Sequence, residues 1–191
     1  MRLSNLAASI LMVASPALAG GPVVGTRPQT VDLKDKNGGL VKDGTAWSSA
    51  SVKGAVYMIV YVDPDEKDLN EELTQSLKKE NFDHEKFRSV AIINMKATWK
   101  PNAIISSMLE SKQKEFPDTI YVKDYEGVLV KEWGLTDDNY DVVLFDQTGR
   151  VLYRKDGKLD GKEIASFISL IKEHLDGGPV TAGVPAIDAT L

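Results

Sequence analysis

The fold is decided by the stretch Gly54-Ala-Val-Tyr-Met-Ile-Val-Tyr-Val-Asp63, which is followed at once by Pro64-Asp-Glu-Lys-Asp68. Eight consecutive apolar or aromatic residues, many of them β-branched, lie between a glycine and an Asp-Pro pair. Such a run is typical of a strand that is buried on both faces, as central parallel strands are. In α/β folds the loop after such a strand commonly carries the functional groups. Here that loop offers carboxylates and one lysine, with no cysteine, serine or histidine.

The residues after this strand carry the signals of an amphipathic helix. Asp63 is predicted to cap the helix, with Pro64 at its first position and acidic residues in its first turn. An apolar stripe recurs every four residues, at Leu69, Leu73 and Leu77.

Outside this unit, strands and helices continue to alternate. The patterns predict strands over 89–94 and 119–122, a hairpin over 141–154 and helices over 102–115 and 161–175. Ile105, Met108 and Leu109 are expected to face inward. Asn37-Gly38 predicts a turn that closes an N-terminal hairpin over 30–41, Trp47 is expected to pack on a sheet edge, and residues 127–134 fit either a helix or an extended segment. This order predicts an α/β, thioredoxin-like fold: a mixed central sheet flanked by helices, with an N-terminal β-hairpin extension.

The first residues have the pattern of a cleaved secretory signal. Arg2 precedes the apolar run 6–14, Pro16 interrupts the helix, and Ala17-Leu-Ala19 provides a small-residue cleavage site. A retained N-terminal helix is the less favoured interpretation. We therefore predict a signal peptide over 1–19, a single domain over 20–175 and a flexible tail over 176–191. The expected compartment is the periplasm, with no membrane association after cleavage because no other run has membrane length.

Composition excludes two classes of function. Without Arg2 the exported chain carries 28 acidic and 22 basic side chains, which argues against nucleic-acid binding. The chain has no cysteine, so it cannot form disulfides or perform dithiol or thiol-peroxidase chemistry.

No proline lies between Glu132 and Arg154, where redox members of the thioredoxin fold carry a cis-proline. The sequence predicts neither a cofactor nor a catalytic residue, and it assigns no metal ligand.

Several segments resemble the YtfJ family of small periplasmic proteins. The resemblance is carried by 109–117 (LESKQKEFP), 133–135 (WGL) and 142–157 (VVLFDQTGRVLYRKDG), with 84–87 (HEKF) and 92–94 (IIN) before them at compatible spacing. It extends from about Val24 to Leu175. It implies a thioredoxin-like domain behind a cleaved signal, without an established biochemical activity.

The main functional hypothesis is a binding or accessory module that recognises a periplasmic protein or peptide through the loops at one end of the sheet. Trp99 either lies on the domain's own surface or contacts the partner, and His84 lies in a segment that resembles the family. The candidate binding residues are Asp63, Asp65, Glu66, Asp68, His84, Trp99, Asp138 and Tyr140.

Two alternatives stay open at this level. Asp63-Pro-Asp65 after an apolar strand is similar to the Asp-x-Asp motif of haloacid-dehalogenase-type phosphatases, which would make the protein a Mg²⁺-dependent hydrolase. The density of carboxylates over 63–68 also suits weak binding of a divalent cation, although the loop lacks an EF-hand pattern.

Overall fold

Strand β4 (Val56–Val62) lies at the centre of the sheet, and all seven of its residues are buried. A computed structural model of the protein describes residues 21–176. On one side β4 pairs in parallel with β5 (Phe87–Asn94), and on the other side it pairs antiparallel with β7 (Tyr140–Phe145). The prediction of a doubly buried central strand is confirmed.

Three further strands complete a six-stranded mixed sheet: β2 (Gly38–Leu40), β6 (Ile120–Asp124) and β8 (Val151–Asp156). The strand order is β2-β6-β5-β4-β7-β8. Because β4, β5 and β6 are mutually parallel, their carboxyl ends meet at one edge of the sheet. The amino end of β7 lies at the same edge, since Tyr140 pairs with Val62.

Alternating residues of β4 enter two separate cores. Val56, Met58, Val60 and Val62 join the core beneath helices α1 (Glu71–Glu80), α2 (Asn102–Glu115) and α4 (Gly161–Leu175). Tyr57, Ile59 and Tyr61 enter the other core, beneath α3 (Val128–Trp133), which also contains Trp47. Because both faces of β4 are packed in a core, its sequence is a continuous apolar run without polar alternation.

Helices α2 and α4 begin and end where the sequence predicts, and residues 128–133 prove to be helical. Helix α4 has strong local signals. The Asp160 side chain accepts from the N–H groups of Lys162 and Glu163, and Glu163 accepts from the Asp160 N–H. This capping box satisfies otherwise unpaired N–H groups of the first turn.

The predicted start of helix α1 is wrong. The helix begins at Glu71, and residues 64–70 form turns. Asp63 is held elsewhere, because its N–H donates to the Asn139 carbonyl at 3.0 Å and its carboxylate accepts from the Asp65 N–H at 2.8 Å. The predicted stripe is nevertheless inward, with Leu73 buried and Leu69 and Leu77 packed against the core.

One predicted core residue of α2 is also misplaced. Ile105 and Leu109 are buried, but Met108 is 47% exposed. The side of α2 that contacts the core is centred on the line of Ile105 and Leu109, and the line of Ile104 and Met108 is left at the surface.

The predicted hairpin segment, residues 30–41, contains two strands, but they do not pair with each other. Strand β1 (Asp32–Leu33) pairs with β3 (Trp47–Ser48), while β2 joins the edge of the main sheet beside β6. A Cβ atom on Gly38 would lie 1.9 Å from the Lys123 carbonyl oxygen, and the φ angle of Gly38 is 152°. The glycine is therefore required for close approach to β6 and does not close a hairpin turn. Trp47 is a buried packing residue, as predicted.

The predicted signal peptide and nearly all of the predicted tail lie outside the described residues. Among residues 21–176, no helix combines the length and apolar character needed to cross a membrane.

Candidate functional site

Three loops meet at the edge formed by the carboxyl ends of β4 and β5. They comprise residues 63–68, 94–100 and 137–139, which we call the acidic edge. The first and third loops are joined by the hydrogen bond from the Asp63 N–H to the Asn139 carbonyl. The second and third are joined by Asn94, whose side-chain amide donates to Asp137 at 2.7 Å. The loops that the sequence predicts to converge therefore do so.

Asp63 is the buried carboxylic acid of the acidic edge, with 3% of its surface exposed. Burial raises the pKa of Asp63 to about 6. The hydrogen bond from the Asp65 N–H opposes this shift, and a hydrogen bond shared with the Asp138 carboxyl group reinforces it. The charge of Asp138 also disfavours the ionised form of Asp63, because two negative charges repel each other.

Asp65 holds the loop that contains Trp99. Its carboxylate accepts a hydrogen bond from the Thr98 hydroxyl at 2.9 Å and forms an ion pair with Lys100. These hydrogen bonds, from Lys100 first and Thr98 second, lower the pKa of Asp65. Trp99, which lies between the two tethered residues, is 86% exposed. The indole is thus presented to solvent by a loop fixed on both sides.

The other predicted residues divide into three groups. Glu66, Asp68 and Asp138 are exposed at the acidic edge, where Asp68 pairs with Lys67. The Tyr140 side chain is buried in the core beneath α1, and burial raises its pKa to about 12. His84 lies at the opposite end of the sheet, 3.6 Å from Asp118. The structure therefore does not bring His84 together with the others, and it does not leave Tyr140 accessible.

A second carboxyl pair, which the sequence reasoning missed, lies beside the acidic edge. Asp141 and Asp156 are opposite each other on β7 and β8. Burial and the neighbouring Asp156 raise the pKa of Asp141 to about 8, and the hydrogen bond from Asp141 lowers the pKa of Asp156. Arg154 Nε lies 3.3 Å from Asp156, and the Thr136 N–H donates to Asp141 at 3.2 Å.

The sequence alone would locate this pair by counting paired residues outward from the hairpin turn, but the count is correct only if a β-bulge is included. The register shifts by one residue between Leu144 and Phe145. Regular pairing continued from Phe145 and Val151 would place Lys155 opposite Asp141, whereas the bulge places Asp156 there.

A buried hydrogen bond joins β4 to the carboxyl end of β6. The Tyr61 hydroxyl donates to Asp124 at 3.1 Å, and Asp124 also accepts from the N–H groups of Val128 and Leu129. Burial, followed by the Asp124 charge, raises the pKa of Tyr61. Asp124 thus fixes the start of α3 against the sheet and has a structural role.

This arrangement does not favour phosphoryl transfer. A nucleophilic carboxylate must be accessible to the substrate, but Asp63 is buried and the Asp65 carboxylate is paired with Lys100. Within residues 21–176, no group of three or more histidine, aspartate or glutamate side chains is arranged to hold a metal ion. The acidic edge instead carries the exposed indole of Trp99 beside several carboxylates.

Comparison with known proteins places the chain in a family. Residues 30–174 match the family described as "Bacterial protein of unknown function (YtfJ_HI0045)". The chain belongs to this family, which confirms the resemblance found in the sequence. The uncharacterized protein YtfJ of Escherichia coli (strain K12) is 28% identical over 178 residues, covering 89% of this chain and 96% of YtfJ. A Haemophilus influenzae protein is 26% identical over 128 residues, covering 65% of this chain and 70% of that protein.

Solved structures confirm the thioredoxin-like fold. A thiol-disulfide isomerase from Corynebacterium glutamicum aligns with a TM-score of 0.54 at 16% identity, over 77% of this chain and 96% of the isomerase. The thioredoxin-like superfamily protein SPOA0173 aligns with a TM-score of 0.54 at 15% identity, over 78% of this chain and 97% of that protein. Redox members of the fold place a low-pKa thiolate near the helix that follows the central strand. In this family member Asp63-Pro-Asp-Glu66 follows that strand, and the chain contains no cysteine.

Proposed function

We propose that the protein is a periplasmic, redox-inactive member of the thioredoxin fold that acts as a binding or accessory module. Its partner is a protein or peptide, and its binding surface is the acidic edge. Recognition there requires no chemical step.

The observation that carries the proposal is the exposure of Trp99. Tryptophan is enriched at the energetic centres of protein interfaces, since its large ring loses much apolar surface when it is covered. Here the ring is 86% exposed at the carboxyl edge of parallel strands, where α/β proteins usually bind their ligands. The bonds from Thr98 and Lys100 to Asp65 restrain the loop before binding, which reduces the ordering cost of association.

The expected compartment is supported by the order of Arg2, the apolar run 6–14, Pro16 and the Ala17-Leu-Ala19 site. The test is expression of the full chain in a Gram-negative host, followed by osmotic-shock fractionation and mass determination. We expect a shock-released product that begins at Gly20. A cytoplasmic product that retains Met1 would contradict the assignment.

Site-specific photocrosslinking tests the binding surface. A benzophenone amino acid is placed at position 99 in one exported variant and at position 85 in another, because Glu85 is exposed at the opposite end of the sheet. We expect discrete protein or peptide adducts from position 99 and few from position 85. Equal labelling, or adducts confined to position 85, would refute a binding role for the acidic edge.

A further inference from the structure

An apolar ridge continues from the acidic edge along helix α2. Three of the five large apolar side chains that are exposed within residues 21–176 lie in the ten residues 99–108: Trp99 (86%), Ile104 (54%) and Met108 (47%). Ile104 and Met108 are four residues apart and share one face of the helix. The sequence pattern predicts Met108 in the core, so this surface is visible only in the structure.

The helical part of the ridge carries no charge. No ionisable residue occurs from Pro101 to Leu109, although 27% of the chain is charged, and Lys100, which follows Trp99, is paired with Asp65. Pro101, Asn102, Ala103 and Ser107 are exposed beside the apolar side chains. A helix face that only met water would usually carry charged residues, whereas an uncharged apolar face suits contact with another molecule.

The charges at the two ends of the ridge indicate what kind of molecule fits. The acidic edge, at the Trp99 end, contains six carboxyl groups and three lysines: Asp63, Asp65, Glu66, Asp68, Asp137 and Asp138 against Lys67, Lys96 and Lys100. The far end is balanced, with Glu110 and Glu115 against Lys112 and Lys114. A second copy of the chain would therefore bring no net positive charge to the acidic edge, whether it packed in the same or the opposite direction.

We infer that the ridge and the acidic edge together bind a polypeptide segment that combines apolar residues with adjacent lysine or arginine. The apolar residues cover Trp99, Ile104 and Met108, and the basic residues lie against the acidic edge. This inference rests on the proposed binding function and adds the chemistry of the partner. Apolar burial supplies affinity, and complementary charge fixes the direction of the segment and speeds association.

Selection from a random twelve-residue peptide library on the immobilised protein tests the inference. The ridge variant is Ile104→Asp/Met108→Asp, and both positions are exposed. The matched control is Ser166→Asp/Ser169→Asp, which adds the same charge to exposed positions of α4. Circular dichroism and thermal unfolding verify that both variants fold. Enriched peptides are synthesised, and their affinities are measured by the change in Trp99 emission and by calorimetry.

We expect the enriched peptides to combine apolar residues with lysine or arginine. They should bind the control variant as tightly as wild type, and bind the ridge variant about tenfold or more weakly. Their affinity should also fall as salt concentration rises. Enrichment of acidic or purely polar peptides, affinity unaffected by the ridge substitutions, or no enrichment above the ridge variant would each overturn the inference. A wild-type dimer that the ridge variant abolishes would also overturn it, because the occupant would then be a second copy. Adducts from position 99 together with a negative selection would leave the proposed function standing and reject only this partner chemistry.

Discussion

At the scale of single residues, the two carboxyl pairs distinguish this edge from an ordinary solvated acidic loop. The Asp63 carboxyl group is buried against Asp138, and that of Asp141 is buried against Asp156. In each pair the buried member has a raised pKa and retains a proton at a pH where an exposed aspartate would be ionised. These pairs make stability depend on pH between about 4 and 8.

Asp63→Asn and Asp63→Ala separate the proton of Asp63 from its hydrogen bond. The folded pKa of about 6 lies above the unfolded value of 3.8, so the wild-type group loses stability as pH rises from about 4 to 6. Asparagine retains the acceptor for the Asp65 N–H and a donor for Asp138, and it never ionises. We expect Asp63→Asn to be at least as stable as wild type at pH 7.5, with a smaller advantage at pH 5. Asp63→Ala should lose about 1–2 kcal/mol.

Urea unfolding at pH 5 and 7.5 measures both variants. An Asp63→Asn protein clearly less stable than wild type at pH 7.5 would show that the ionised Asp63 carboxylate is favourably bound in the folded protein, which contradicts a raised pKa.

Asp141→Asn should flatten the dependence of stability on pH between about 5 and 8. The folded pKa of about 8 exceeds the unfolded value of 3.8, so in this range the folded wild-type protein holds a proton that the unfolded chain has released. Wild-type stability therefore falls as pH rises, by at most about 1.4 kcal/mol per pH unit from this group. Asparagine can still donate to Asp156 and accept from the Thr136 N–H.

Thermal unfolding from pH 5 to 8.5 provides the comparison, with Glu110→Gln as a control at an exposed carboxylate. If Asp141→Asn and Glu110→Gln show the same pH profile, then Asp141 is not the protonated group.

At the scale of elements, the boundaries that local chemistry sets were predictable and those set by distant contacts were not. Helix α4 carries its own capping box, and α2 follows Pro101 directly. The start of α1 depends on Asn70, whose buried side chain donates to the Gly157 carbonyl at 3.0 Å and accepts from the Leu159 N–H at 2.9 Å. These partners are more than eighty residues away in sequence. No local pattern marks such a contact.

Asn70→Ala should therefore destabilise the protein by about 1–3 kcal/mol, because the substitution leaves the half-buried Gly157 carbonyl and the buried Leu159 N–H without these hydrogen bonds. Gln75→Ala on the exposed face of α1 is the control, with an expected change within about 0.5 kcal/mol. Urea unfolding monitored by circular dichroism measures both. Equal stability of the two variants would mean that Asn70 does not connect α1 to the turn before α4.

At the scale of the whole molecule, the distribution of tryptophan and charge gives a direct test of the acidic edge. Trp47 and Trp133 are buried at 4% and 1% exposure, so Trp99 is the tryptophan that solutes can reach. Carboxylates surround its loop, and at low salt they attract cations and repel anions.

We expect caesium to quench the accessible tryptophan emission more strongly than iodide, with the difference decreasing as sodium chloride is added. Trp99→Phe should remove most of the emission that acrylamide can quench. Stronger quenching by iodide would contradict the electrostatic description, and a largely unchanged quenchable fraction in Trp99→Phe would contradict the exposure of Trp99.

The sequence by itself determined the central strand, the order of helices and strands, the absence of thiol chemistry and the family. These properties follow from residue type and short-range periodicity, which are local. It also determined that the loops after β4 and before β7 lie at one edge, since an antiparallel neighbour begins at the edge where β4 ends.

Only the tertiary structure decided the raised pKa values of Asp63 and Asp141, the burial of Tyr140, the separation of His84 and the exposure of Met108. Each depends on which distant groups a side chain contacts: a one-residue bulge determines that Asp141 faces Asp156, and the orientation of α2 on the sheet determines that Met108 faces solvent. The desolvation of a side chain and its hydrogen-bond and charge partners depend on residues that are distant in sequence, so they cannot be predicted from the adjacent residues.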